Sequence, residues 1–321
     1  MIDILFSILV PAYKSTYFRE CIESILSQTY KNFELIIVDD ASPENLKAIV
    51  DKYGDPRIKF YRNEKNCGAV DVVDNWNKCL EYATGDYVIC MGDDDMLCSD
   101  CLEEYAKLIT RYPNYKLFHG RTELINEKGK CISILGPREE VESTLSFVYY
   151  RWKGRCQYIG DFCYEINTLR SYGGFYKLPL AWASDDISAV LQAQSSDGVV
   201  NCNKILFKYR VNCQSITGSG DFRIKCGAIC LEQDWYEDFL KTCLLKNEEE
   251  ALYFNCLDSL KNKYFQKKRL VIIASDISHN IWHSFFWIKK YKKYRLNHKL
   301  MAYAFLMGIA IKVKMYLHIN G

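Results

Sequence analysis

Three consecutive aspartates, Asp93, Asp94 and Asp95, interrupt an apolar run in "YVICMGDDDMLC". Adjacent carboxylates at the end of a buried element repel one another, and a bound cation relieves that repulsion. Hard divalent cations such as Mn²⁺ or Mg²⁺ take carboxylate oxygens and keep positions open for phosphate oxygens. The triplet therefore fits the handling of a diphosphate, and it also fits a solvated turn capping the helix that begins near Ser99. A second acidic pair, Asp185 and Asp186, opens a helical pattern. A partly desolvated carboxylate at that place would accept a proton from a hydroxyl; a helix-start acid pair is the other reading. Trp182, just ahead of the pair, offers a ring face for a sugar or a piece of core. The chain contains no GxGxxG and no GxxxxGK[ST], so dinucleotide and P-loop chemistry lose their main support. Cys98 and Cys101 form a CxxC without a second pair at zinc-finger spacing and read as turn and helix-start packing.

The elements that must position these groups alternate between two periodicities. Ile4 to Val10 is β-rich, "YFRECIESILSQ" has helical spacing, "FELIIVDDAS" is a strand ending in acids, and "NLKAIVDKYG" is a short helix. The strand "RIKFYRN", a helix over 69–83, a strand over 86–91, a helix over 101–112 and the strand "YKLFHG" follow. Strands separated by helices of this length imply crossovers and an α/β fold, a mostly parallel sheet flanked by helices. Ligands of such sheets bind beyond the carboxyl ends of the strands. Those ends carry Pro11, Ala12 and Tyr13, then Asp39 and Asp40, then the segment 63–68 with Asn66 and Gly68, then the aspartate triplet. After residue 120 the pattern loosens into a hairpin around Lys128-Gly129 and short mixed elements, and from residue 221 it reads as helical. A boundary near 218–222 divides a unit over 1–220 from a helical, basic C-terminal extension over 221–321.

The ordered series "SILVPAYKSTYFRECIESILSQTYKNFELIIVDDAS" and "NCGAVDVVDNWNKCLEYATGDYVICMGDDD" resembles the family 2 glycosyltransferases, whose nucleotide-binding fold is called GT-A. The likeness runs from the first strand to about residue 217. It implies that Tyr13 stacks on the donor nucleobase, Asp40 accepts from a base N–H, and Asp39 orients that strand end or meets the ribose. Pro11, Ala12, Asn66 and Gly68 join them in the donor site. It further implies Asp93 near the ribose and a divalent cation on Asp94 and Asp95, although Gly92 stands where many relatives carry the first acid of the motif. In "GGFYKLPLAWASDDISAVLQA" the family's base maps onto Asp186, with Asp185 as its close rival and Trp182 toward the acceptor. "FKYRVNCQSITGS" resembles the loop that closes over the donor diphosphate, with Arg210 as its matching charge and Asn212 where relatives often have His. The reaction so implied is inverting transfer of a sugar from a nucleotide-diphosphate donor, a UDP-sugar, to a hydroxyl of a saccharide or lipid-linked saccharide. A catalytically silent nucleotide-binding scaffold and, more remotely, a receiver-type signalling domain are the rivals.

Fifteen cysteines, an odd number, lie partly inside apolar patterns and point to free thiols in a reducing, cytoplasmic setting. The net charge of +2 conceals an asymmetry. From residue 261 onward, 13 Lys and Arg face one acid, Asp276, leaving 29 basic and 39 acidic residues before it. "WHSFFWIKKYKKYRLNHK" mixes aromatic and basic residues as helices resting on anionic lipid do, which suggests a peripheral place on the inner face of the cytoplasmic membrane. A solvated basic face of packed helices reads equally well. The apolar content argues against nucleic acid as partner. The N-terminal run "MIDILFSILVPAY" reads as a strand rather than a leader. The longest apolar run, Leu300 to Ile311, falls short of the roughly 20 residues a spanning helix requires.

Overall fold

A computed structural model describes residues 3–212 and 221–319, with the side chains of 315–319 left aside. Among them the chain divides into two compact units, one comprising 3–177 and 183–212, the other 178–182 and 221–319. The sequence boundary near 218–222 and residues 213–217 of the loop motif fall largely or wholly outside the described residues.

The first unit begins with β1 (Phe6–Ala12), α1 (Phe18–Leu26), β2 (Phe33–Asp39), α2 (Lys47–Val50), β3 (Ile58–Arg62), α3 (Val72–Tyr82) and β4 (Tyr87–Cys90). β1 and β2 are buried on both faces and mostly apolar, the pattern of strands inside a parallel sheet. Phe6, Ile8 and Val10 join Phe18, Cys21, Ile22 and Ile25 of α1 in the core on one face. α3 packs against β1 and β2 and contributes buried Val73 and Trp76. The parallel register sets Ala12 opposite Asp39 and Asp39 opposite Arg62, so the carboxyl ends of three strands share one rim.

Next come β5 (Met96–Leu97), α4 (Cys101–Arg111), β6 (Leu117–Ile125), β7 (Cys131–Ile134), β8 (Val141–Glu142), α5 (Thr144–Trp152), β9 (Phe162–Glu165), α6 (Ile166–Ser171), α7 (Ser184–Gln194) and β10 (Val199–Arg210). The sheet runs β3-β2-β1-β4-β9-β6-β10-β5, with β7 on β6 and β8 on β10. Its first four strands are parallel, as the alternation implies, but β9 enters between β4 and β6 antiparallel to both. The expected hairpin is β6 and β7, turning through Asn126 to Lys130. β5 pairs antiparallel with β10 at Met96 and Lys208, which carries the aspartate triplet to the end of β10.

The second unit holds α8 (Phe222–Thr242), α9 (Glu248–His279), α10 (His283–Lys289) and α11 (His298–Ile319). α9 packs along α8 and α11. A Cβ on Gly308 of α11 would stand 2.8 Å from Ile277 Cγ2 and 2.9 Å from the Ala274 carbonyl oxygen, so the α9–α11 approach requires glycine. The 178–182 segment packs on α8 through a short 3-10 turn at Pro179–Ala181. Every cysteine among the described residues is free; Cys101 is buried in α4, whereas Cys131, Cys156 and Cys256 are exposed.

Candidate active site

Tyr13 follows β1 with its side chain 41% exposed at the rim, open for stacking. Pro11 is half-buried and Ala12 buried, so Ala12 contributes backbone, its carbonyl accepting from Asp40 N–H at 2.8 Å. Asp39 is fully buried, accepts from Ser42 N–H at 2.7 Å and pairs with the Arg62 guanidinium, which fixes the strand end rather than facing a ribose. Asp40 accepts from Asn63 Nδ2 at 2.8 Å and from Cys67 N–H at 3.0 Å, holding the 63–68 loop over itself. Within that loop Asn66 accepts from Gly68 N–H, and Gly68 turns with φ +74°. The residue after the acidic pair, Ala41, is held at φ 51° in the left-handed region, a conformation that costs about 1 kcal/mol or more without glycine.

The triplet separates into three different environments. Asp93 Oδ2 accepts from both Tyr13 and Lys14 N–H at 2.7 Å, tying the triplet to β1, and burial pushes its carboxyl up to about 6. Asp95 is buried, accepts from Arg210 N–H at 2.8 Å and is raised well above the usual range, first by burial and then by Asp94. Asp95, expected beside Asp94 as a ligand, is thus tied to the β10 backbone through its Oδ1. Asp94 remains: half-buried, its Oδ2 accepts from Asn212 Nδ2 at 2.6 Å. Gly92 is explained as well, because a Cβ there would lie 2.8 Å from Asp94 Oδ1 and 3.1 Å from Asp95 Oδ2.

Arg210 was expected to meet the donor diphosphate. Instead its side chain is fully buried. It donates to the Asp94 carbonyl at 2.8 Å, to Glu20 Oε2 at 2.7 Å and to the carbonyls of Asn126 and Glu127 at 3.3 Å. The guanidinium also lies 4.1 Å from the Tyr17 ring centroid. A planar donor fork suits this bracing of several acceptors. Arg210 thereby ties the start of α1, the triplet and the β6–β7 turn together.

Asp185 and Asp186 occupy the first turn of α7, behind three alanyl and leucyl residues with positive φ, Leu180 (60°), Ala181 (50°) and Ala183 (64°). Asp186 is buried and accepts from Arg151 Nε and Gln157 Nε2, both at 2.8 Å. Asp185 is half-buried; burial, reinforced by the Asp186 charge, lifts its carboxyl above the usual range. The two acids thus differ in their surroundings: Asp186 is held by Arg151 and Gln157, whereas the rise at Asp185 comes from burial and from the Asp186 charge beside it. Tyr209 lies between the acidic groups, its hydroxyl raised by burial and by the charges of Asp95, Asp94 and Asp185. It stacks on Tyr158 with centroids 3.9 Å apart. Trp182, expected to face an acceptor, belongs to the second unit, with Lys225 Nζ 5.7 Å and Lys268 Nζ 6.0 Å from its ring centroid.

Deeper in the first unit lies a buried polar layer that sequence patterns do not reveal. Asp161 accepts from Thr122 Oγ1 and Tyr158 N–H at 3.0 Å and burial raises it to about 7, while its Oδ1 has no partner. His119, 3.7 Å away, is driven well below its ordinary value by burial and by Arg138 and Arg155, so it stays neutral. Arg155 pairs with Glu142 at 2.8 Å.

Among the described residues no group of three His, Cys, Asp or Glu forms a metal cage. A cation shared with a diphosphate requires only one or two protein oxygens. The Asp94 carboxylate supplies a hard oxygen donor of that type, with the Asn212 Nδ2–H bonded to its Oδ2.

Residues 7–129 match the family described as Glycosyl transferase family 2. Over 221 residues, 68% of this chain and 82% of the relative, the sequence is 27% identical to the UDP-Glc:alpha-D-GlcNAc-diphosphoundecaprenol beta-1,3-glucosyltransferase WfgD of Escherichia coli. It is 38% identical over 101 residues to the putative glycosyltransferase EpsE of Bacillus subtilis, and 31% identical over 137 residues to an uncharacterized glycosyltransferase of Rickettsia conorii. The matched parts span only 35% and 22% of those two relatives. In fold, the chain superimposes on S. aureus TarS 1-349 in complex with UDP-GlcNAc, with a TM-score of 0.65 at 15% identity, over 97% of this chain and 92% of that one. The mannosyltransferase PcManGT of Pyrobaculum calidifontis, in complex with GDP-Man and Mn2+, gives a TM-score of 0.55 at 14% identity, over 96% and 86% of the two chains. Residues 7–129 thus match a family 2 glycosyltransferase domain, and the chain has the GT-A type of fold.

Proposed function

We propose that the protein transfers a hexosyl or N-acetylhexosaminyl group, with inversion, from a UDP-sugar to a hydroxyl of a lipid-linked saccharide presented at a membrane surface. The observation that carries this reading is the division of labour between the acids. Asp94 lies half-buried in the strand-end turn, and Asp185 lies half-buried at the head of α7 with its carboxyl raised by burial and by the Asp186 charge, which supports a cation-ligand role for the first and a proton-acceptor role for the second. The acceptor resemblance to WfgD supports a lipid-borne saccharide.

In this mechanism Tyr13 stacks on the base, Asp40 orders the 63–68 loop beside it, and Arg210 braces the backbone of the triplet from behind. Asp94, oriented by the Asn212 N–H, would hold a divalent cation, which when bound offsets charge on the departing diphosphate. Asp185 takes the proton of the acceptor hydroxyl as that oxygen bonds to the anomeric carbon. The bond from that carbon to the donor diphosphate oxygen breaks on the opposite face, the nucleoside diphosphate leaves with the electron pair, and the anomeric configuration inverts. Asp186, held by Arg151 and Gln157, positions the first turn of α7.

The test compares Asp185→Asn with Asp186→Asn in a transfer assay using UDP-glucose or UDP-GlcNAc, Mn²⁺ and a lipid-diphosphate saccharide. Asp185→Asn should lower kcat by about 100-fold or more with donor affinity and Tm unchanged. Asp186→Asn should lower Tm as well as rate. Full activity of Asp185→Asn would overturn the assignment; binding without turnover by the unsubstituted protein would favour the silent scaffold.

A further inference from the structure

The second unit presents a surface that neither donor nor acceptor chemistry uses. α11 buries Leu300, Met301, Ala304 and Gly308 on the side of α9. Its other side should be polar if it faced water alone. It is apolar instead, with Tyr303 54%, Leu306 63% and Val313 52% exposed, and Met307 and Ile309 beside them. α10, in contact with α11, buries Trp287 and turns outward Trp282, Phe285 and Ile288, each more than half exposed. The Trp282 and Phe285 rings stack at 5.9 Å and 12°. Large aromatic surface of this kind in water is a sign of an absent partner.

Charge says which partner. After Asp276 the chain holds eight Lys and Arg and no acid. Lys289, Lys290, Lys292, Lys293 and Lys299 are all exposed around the apolar residues. Asp276 itself is buried, accepting from Trp287 Nε1 at 2.7 Å and pairing with His283 Nδ1 at 2.8 Å, so the acid that anchors α10 does not reach the surface. A second copy would set eight cations against eight. An anionic bilayer supplies both the missing hydrocarbon and the missing negative charge.

We infer that α10 and α11 form an interfacial membrane-docking face, with Trp282, Phe285 and Ile288 entering the headgroup–acyl boundary and the lysines bound to anionic headgroups. No described helix is long and apolar enough to cross the bilayer, so the association is parallel to the plane. The inference rests on α10 and α11 and stands or falls independently of the transfer chemistry, although it serves the proposed lipid-borne acceptor.

Co-sedimentation of the full chain with vesicles tests it directly. Binding to phosphatidylglycerol–phosphatidylcholine vesicles should exceed binding to pure phosphatidylcholine by about tenfold or more, and fall as salt is raised. Phe285→Glu with Ile288→Glu should weaken binding about tenfold, and Lys289→Glu with Lys290→Glu by at least as much, with helicity and UDP binding unchanged. UDP binding and vesicle binding are separate readouts, so loss of one leaves the other interpretable. Equal binding to neutral and anionic vesicles, no binding at all, or dimers abolished by Phe285→Glu in place of lipid binding would each overturn the inference.

Discussion

At the scale of single residues, the acids of the first unit are distinguished by what surrounds them. Asp161 has a folded-state pKa of about 7 against an ordinary 3.8, raised by burial. Between those values the folded state holds a proton that the unfolded chain has released, so stability falls as pH rises through the window. The penalty is complete above about pH 7 and absent below about pH 4. Asp161→Asn keeps an acceptor for Thr122 and Tyr158 and removes the charge. It should raise stability by about 1 to 4 kcal/mol at about pH 8, a gain that vanishes toward about pH 4. Denaturant titrations at the two pH values check this, and a pH-independent effect would contradict it. The sequence exposes Tyr13 and Asp94 because strand ends and acid runs are local patterns. It hides Arg210–Glu20 and Asp186–Arg151, pairs that only the folded sheet brings together across 190 and 35 positions. The charge of Arg210 at a strand end invites a ligand role, and only the fold reveals that its buried guanidinium engages Glu20 and the Asp94 carbonyl.

At the scale of elements, the alternation of strand and helix through residue 112 reads correctly because α1 and α4 each have one apolar stripe and the strands between helices are short and mostly apolar. β9 escapes such reading: four residues, "FCYE", carry no directional signal, and their antiparallel entry between β4 and β6 is a property of the whole sheet. The β4–β5 turn is the element on which the site depends most. Its carboxylates fold back into the space beside Gly92. Gly92→Asp, which would install an additional acid, should therefore displace the Asp94 carboxylate rather than add a ligand. The expected result is weaker Mn²⁺-dependent UDP binding, by about tenfold, measured by calorimetry with and without the metal. Tighter metal-dependent binding would show that the turn can open to accept the side chain.

At the scale of the whole molecule, the chain leaves its first unit for only five residues, 178–182, before returning to begin α7. Trp182, packed beneath Lys225 and Lys268, is the last residue of that excursion. If its role is anchorage, Trp182→Ala should depress kcat while leaving the acceptor KM within about twofold, whereas loss of a sugar platform would raise KM. Steady-state kinetics over a range of acceptor concentrations separates the two.

Trp182 and Asp185 stand three positions apart, and the alanine that heads α7 between them sits in a backbone conformation it would not choose for itself. Backbone held there against its own preference fixes where the first turn of α7 begins, and with it the places of Asp185 and Asp186. Glycine at position 183 would relieve that backbone cost while leaving both carboxylates in place, at the expense of added freedom where α7 starts.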